Sequence, residues 1–119
     1  MYSDYKELAV WNKSMQLAER IYHGVKNFPK AEMFELSSQM RRAAVSIPSN
    51  IAEGQARKSD REFLRFLSIA QGSRAELETQ ILLSNRLGYL TDEQVSVLIA
   101  QTSEIGKMLT SLSNSIKQS

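Results

Sequence analysis

Residues 39–54 read QMRRAAVSIPSNIAEG, and the steps between their apolar members decide the fold. Read as a helix, the stretch and its approach place Leu36, Met40, Ala43, Ile47, Asn50 or Ile51, and Gly54 on one side. Steps of three and four keep one helical face turned toward partner helices. Pro48 lacks a backbone donor and crowds the turn before it, so it should kink or interrupt the helix. The heptad count runs unbroken through it. The expectation is therefore one continuous second helix, from about Ala31 to Gln55, kinked at the proline. Asn50 puts an amide where an apolar residue belongs and needs hydrogen-bond partners if buried. Small residues (Ala43, Ala44, Ser46, Ser49, Ala52, Gly54) let a neighbouring backbone come close.

The flanking segments repeat the pattern. Residues 1–6 are polar and are expected to be loose. Leu8, Trp11, Met15, Ala18, Tyr22 and Val25 recur at helical steps and predict a first amphipathic helix, from about Glu7 to Asn27. Phe28-Pro29 ends it, because a residue before proline is biased away from the helical region. Ser59 and Glu62 have capping-box spacing and open a third helix that runs to about Leu87. Gly88 suits a left-handed cap at its end. Thr91 and Gln94 repeat the capping box before a fourth helix. Its inner positions Val95, Leu98, Thr102, Ile105, Leu109, Leu112 and Ile116 are apolar except at Thr102. Four helices on short turns predict an all-α fold, an antiparallel up-down-up-down four-helix bundle, with residues 1–119 as one domain.

Composition narrows the function. Without cysteine the chain has no disulfide, thiolate metal site or thiol nucleophile, which suits a cytoplasmic location. No signal-peptide-like run opens the chain, and no uncharged apolar stretch is long enough to span a membrane. The net charge of +2 is modest. Its distribution is uneven: from Arg41 to Arg74 seven basic residues stand against three acidic ones, and the remainder holds eight basic and ten acidic.

Two segments also carry a resemblance. SIPSNIAEG (46–54) and FLRFLSIAQGSRAELETQ (63–80), with LAVWNKS (8–14) before them, resemble the small four-helix-bundle proteins of the 23S rRNA intervening-sequence family. Relatives of that family include the accessory proteins of diversity-generating retroelements. The resemblance runs from about Leu8 to about Tyr89 and implies a ring-shaped pentamer. It also implies contact with nucleic acid or with a protein partner such as a reverse transcriptase. Those relatives tend to be more basic than this chain.

Catalytic signals are few. His23 is the only histidine and has no ligand cluster around it. No serine sits in a nucleophile elbow, and the five glycines are isolated, so no phosphate-cradling loop exists. Glu53, Glu76 and Glu78 lack the Glu-x-x-His partner that a di-metal bundle site requires. No catalytic residue, cofactor or metal is therefore expected, and the chain reads as a non-enzyme. Asn50, Glu53, Arg74, Glu76, Glu78 and Gln80 read instead as a structural polar network that fixes helix register or a subunit contact.

The candidate nucleic-acid-binding residues are Arg41, Arg42, Arg57, Lys58, Arg61 and Arg65. Four of them surround the start of helix three, and several cations acting together are what a phosphate backbone requires. The plainer reading is a set of solvated arginines interleaved with Asp60 and Glu62. No aromatic residue lies between Arg57 and Arg61, so base stacking has little support. Wide apolar surface on helix three (Leu64, Ile69, Leu82, Leu83, Leu87) and on helix two (Val45, Pro48, Ala52) predicts a homo-oligomer. RNA or DNA is one expected partner, and a protein bound by a scaffold is the alternative.

Overall fold

The structure, a computed structural model, describes residues 4–118. Four helices, α1 (Ala9–Val25), α2 (Leu36–Ala56), α3 (Asp60–Arg86) and α4 (Asp92–Lys117), carry the fold, and no strand occurs among the described residues. They pack as a bundle 46 × 24 × 20 Å in extent around one apolar core to which all four contribute. Met40 meets Ser84, Ser46 meets Ser73, and Gly54 meets Phe66, so residue numbers climb along α2 as they fall along α3. Glu78 with Thr102 and Gln71 with Thr110 give the same opposed order for α3 and α4.

Helix α2 passes through Pro48 without interruption, and the proline itself is buried. Leu36, Met40, Ala43, Ile47, Ile51 and Gly54 form the inner face, and Asn50 is half-buried beside it. The helix begins at Leu36, later than the expected Ala31. Pro29 instead leads into a 3-10 turn, Lys30–Glu32, and Glu35 has a non-helical backbone. The Glu32 carboxylate accepts from the Leu36 N–H at 3.4 Å and from the Tyr89 hydroxyl at 2.9 Å. A free donor at the start of α2 is thereby satisfied from outside the helix.

The apolar pattern read along α1 enters the core only in part, at Leu8, Ala18 and Val25. Val10, Ser14, Leu17, Ala18, Ile21 and Val25 are buried, whereas Met15 and Tyr22 are exposed and Trp11 is half-buried. Ser14 disguised the stripe. It is fully buried because its hydroxyl donates to the Val10 carbonyl at 2.7 Å, which removes the cost of burying it. Helix α1 therefore has two apolar faces, and only one enters the core. Residues 1–3 lie outside the described residues, but the rest of the expected loose start is structured. Asp4 caps a 3-10 turn, Tyr5–Glu7, and Tyr5 packs edge-on against Trp11 at 5.3 Å.

The remaining boundaries follow local chemistry. Ser59 accepts from the Glu62 N–H at 3.3 Å, but the Glu62 carboxylate turns to Arg65, so the reciprocal half of that capping box is not made. Thr91 and Gln94 form the full box. Gly88 adopts φ +79, the left-handed geometry that ends α3 at low steric cost.

Candidate nucleic-acid interface

The six candidate cations do not form one patch. Arg41 and Arg42 lie near the start of α2, and Arg57 follows its end, about 24 Å away at 1.5 Å per residue. Arg41 donates to the Met33 carbonyl at 3.2 Å and stands 6.0 Å from the centre of the Tyr22 ring. Arg42 is exposed and makes no ion pair among the described residues. The basic group proper is Arg57, Lys58, Arg61 and Arg65, at the α2–α3 turn.

That turn is tight because Gly54 permits it. A Cβ at Gly54 would stand 2.6 Å from the Cβ of Phe66, so a larger residue would push the two helices apart. Lys58 completes the reversal with φ 55, a left-handed conformation that costs a non-glycine residue some strain. Arg57 donates to Glu53 at 2.9 Å, and Arg65 donates to both Glu62 oxygens at 3.2 and 3.3 Å. Both guanidinium groups also lie over the buried Phe66 ring, at 5.2 and 4.5 Å from its centre. Their charge is thus partly spent on local partners. Hydrogen bonding from Arg65 holds the Glu62 carboxyl below its ordinary range. Lys58 and Arg61 are exposed and make no ion pair among the described residues, which leaves them as the uncommitted cations of the turn.

The expected polar network divides into separate units. Between α2 and α3, Asn50 donates to the Ser46 carbonyl and hydroxyl at 2.8 and 2.9 Å, and Ser46 shares a 2.8 Å hydrogen bond with Ser73. Between α3 and α4, Arg74 donates to Gln71 at 2.7 Å and to Glu78 at 3.3 Å. Glu78 also accepts from Thr102 at 2.7 Å, and Gln71 donates to the Gly106 carbonyl and the Thr110 hydroxyl. Arg74 can lie this low only because residue 106 has no side chain: a Cβ there would come within 2.8 Å of its Nε. Glu53 belongs with Arg57, and Glu76 meets Gln80 at 3.4 Å. Ser46, Ser73, Gln71, Thr102, Gly106 and Thr110 complete these units and were not singled out as members. Thr102, the one polar residue on the inner face of α4, was the available signal.

Two surface grooves differ in character. The one between α1 and α2, about 540 Å³, is lined chiefly by Trp11, Met15, Tyr22, Val45, Pro48 and Ala52, with Glu19 and His23 at its side. The one between α3 and α4, about 520 Å³, is lined by polar groups including Arg74, Ser103, Lys107 and Thr110. No cluster of three or more metal-ligating side chains occurs among the described residues, and no helix is long and apolar enough to cross a membrane.

Residues 6–111 match the family of 23S rRNA-intervening sequence proteins. A crystal structure from Bacteroides thetaiotaomicron, described as a protein with unknown function from the S23 ribosomal protein family, superposes with a TM-score of 0.79. It is 32% identical, and the match covers 88% of this chain and 98% of that one. No curated protein matches the sequence.

Proposed function

The chain belongs to the 23S rRNA-intervening sequence protein family, and from that premise we propose that it is a non-enzymatic, self-associating helical bundle that contacts RNA or DNA phosphates through its α2–α3 turn. The observation that carries this is the pair Lys58 and Arg61, exposed and free of ion pairs among the described residues, at the end of the bundle where Arg57 and Arg65 add further positive charge. One such turn offers few contacts. A ring of copies would repeat it and reach the number that salt-sensitive phosphate binding requires. Labelled RNA and DNA titrated against the protein at several salt concentrations test the idea. Binding should weaken steeply with salt and drop after Lys58→Glu with Arg61→Glu. No binding even at low salt would sink it.

A second reading, a scaffold that holds a protein partner, draws on the apolar groove between α1 and α2. A groove of this kind is a candidate protein contact, because soluble monomers rarely leave large contiguous apolar surface uncovered. The same surface serves self-association. Sedimentation of the wild type and of Val45→Glu separates these outcomes from a monomer with an unused groove.

A further inference from the structure

One cation held firmly in place lies outside the cluster that the sequence points to. Arg74 is held flat against α4 over Gly106, its Nε fixed by Gln71 and one terminal nitrogen by Glu78. Its remaining N–H groups are uncommitted, and the residue lines the α3–α4 groove. Ser103, Thr110 and Ser111 stand along the same groove with Lys107, and a second hollow continues it past Ser68 and Asn114 to Lys117. Neither lysine makes an ion pair among the described residues. The one carboxylate on these walls, Glu78, is already occupied by Arg74 and Thr102.

We propose that the α3–α4 groove, from Arg74 through Lys107 to Lys117, is a track for the phosphodiester backbone of a nucleic acid. The inference rests on the nucleic-acid reading above and moves its main surface from the α2–α3 turn to the groove. Lys107 and Lys117, with Arg74 anchored by Glu78 but keeping further N–H donors, and with hydroxyl and amide donors between them, match a chain of phosphates better than a carboxylate-rich partner of mixed charge. Fixing Arg74 before the ligand arrives lowers the ordering cost of using it. The pocket-lining residues include no aromatic side chain, so the contact reads backbone and not base sequence. The groove continues toward the first turns of α3, where Leu64 lines its end and Arg61 precedes it by three residues. The turn and the groove can therefore act in series.

Labelled single-stranded RNA and DNA, titrated over a salt series against wild type, Lys107→Glu with Lys117→Glu, and Lys58→Glu with Arg61→Glu, test the assignment. The groove variant should bind at least about tenfold more weakly, with the log–log salt slope reduced by about 1.4 for two lost contacts to a single strand. Circular dichroism should show unchanged helix content, since both lysines are exposed. Wild-type affinity in the folded groove variant, with loss only in the turn variant, overturns the groove and keeps the nucleic-acid reading. Absence of wild-type binding at low salt overturns both. Stronger binding of RNA than of DNA would point to 2′-hydroxyl contacts with the groove's polar side chains, and equal binding to phosphate alone; either outcome supports the track when the groove variant is impaired.

Discussion

The α1–α2 and α3–α4 grooves of the bundle are opposites built from the same architecture. Between α1 and α2, the second apolar face of α1 meets Val45, Pro48 and Ala52, and the surface presents aromatic and aliphatic groups to solvent. Between α3 and α4, Arg74, Gln71, Glu78, Thr102 and Thr110 satisfy one another across the seam. An apolar seam left open gains free energy when something covers it. A seam already closed by hydrogen bonds gains little from apolar cover and offers charge to ligands instead. The two proposals accordingly assign assembly to the first groove and phosphate contact to the second.

The largest expected effect tests which face of α1 is core. Ile21 and Tyr22 are neighbours in sequence, yet Ile21 is 1% exposed and Tyr22 45%. Ile21→Ala should cost about 2–5 kcal/mol through lost transfer energy and a cavity, lowering the melting temperature by roughly 10 °C or more. Tyr22→Ala should change monomer stability by less than about 1 kcal/mol and act on association instead. Thermal melts of the two variants over a range of protein concentrations settle the face, because an association effect shifts with concentration and a core effect does not. A larger loss for Tyr22→Ala in a monomer would reverse it.

The α3–α4 seam predicts a smaller, coupled effect. Thr102 is fully buried and donates to Glu78, which also receives Arg74. Thr102→Val keeps the shape and removes the donor, at an expected cost of about 1–2 kcal/mol. Arg74→Ala should cost a similar amount, and the double variant should fall short of the sum by roughly 0.5–1 kcal/mol because both bond the same carboxylate. Denaturant melts of the cycle read that coupling. Strict additivity would mean that the seam is a set of independent contacts.

How far the fold was legible can be judged from particular residues. The inner face of α4 was readable because its one polar member, Thr102, did not break the 3-4 spacing. Helix α1 misled because it carries two apolar stripes, and the one with Trp11, Met15 and Tyr22 has the bulkier residues. Only Ser14's bond to its own backbone explains how a hydroxyl enters the core ahead of them. The start of α2 was missed for a related reason: the Glu32 side chain that supports it is fixed partly by Tyr89, far along the chain. The cation list named residues that do lie at the surface, but spacing could not show that Arg57 and Arg65 share Phe66 and two glutamates. Nor could it show that Gly106 makes room for Arg74.

The smallest effect lies at the α2–α3 turn and bears on which cations remain available there. Glu62 accepts two hydrogen bonds from Arg65, and its carboxyl is held below the ordinary range, with the side-chain hydrogen bond the largest cause and the charges of Arg65, Arg57 and Arg61 adding to it. A carboxyl depressed in the folded state contributes stability above its unfolded value, about 4.3. That contribution disappears as the pH falls through the folded value. Because the pair is exposed, the stability change should be near the limit of detection, and the titration itself is the better readout. Carboxyl NMR should place Glu62 below an unperturbed glutamate and show it rising in Arg65→Gln. If so, Arg65 is occupied by Glu62 and Phe66, and its removal should weaken nucleic-acid binding less than removal of Arg61. If Glu62 instead titrates normally, Arg65 is free in solution and the turn recovers a cation, which narrows the contrast between the turn and the α3–α4 groove.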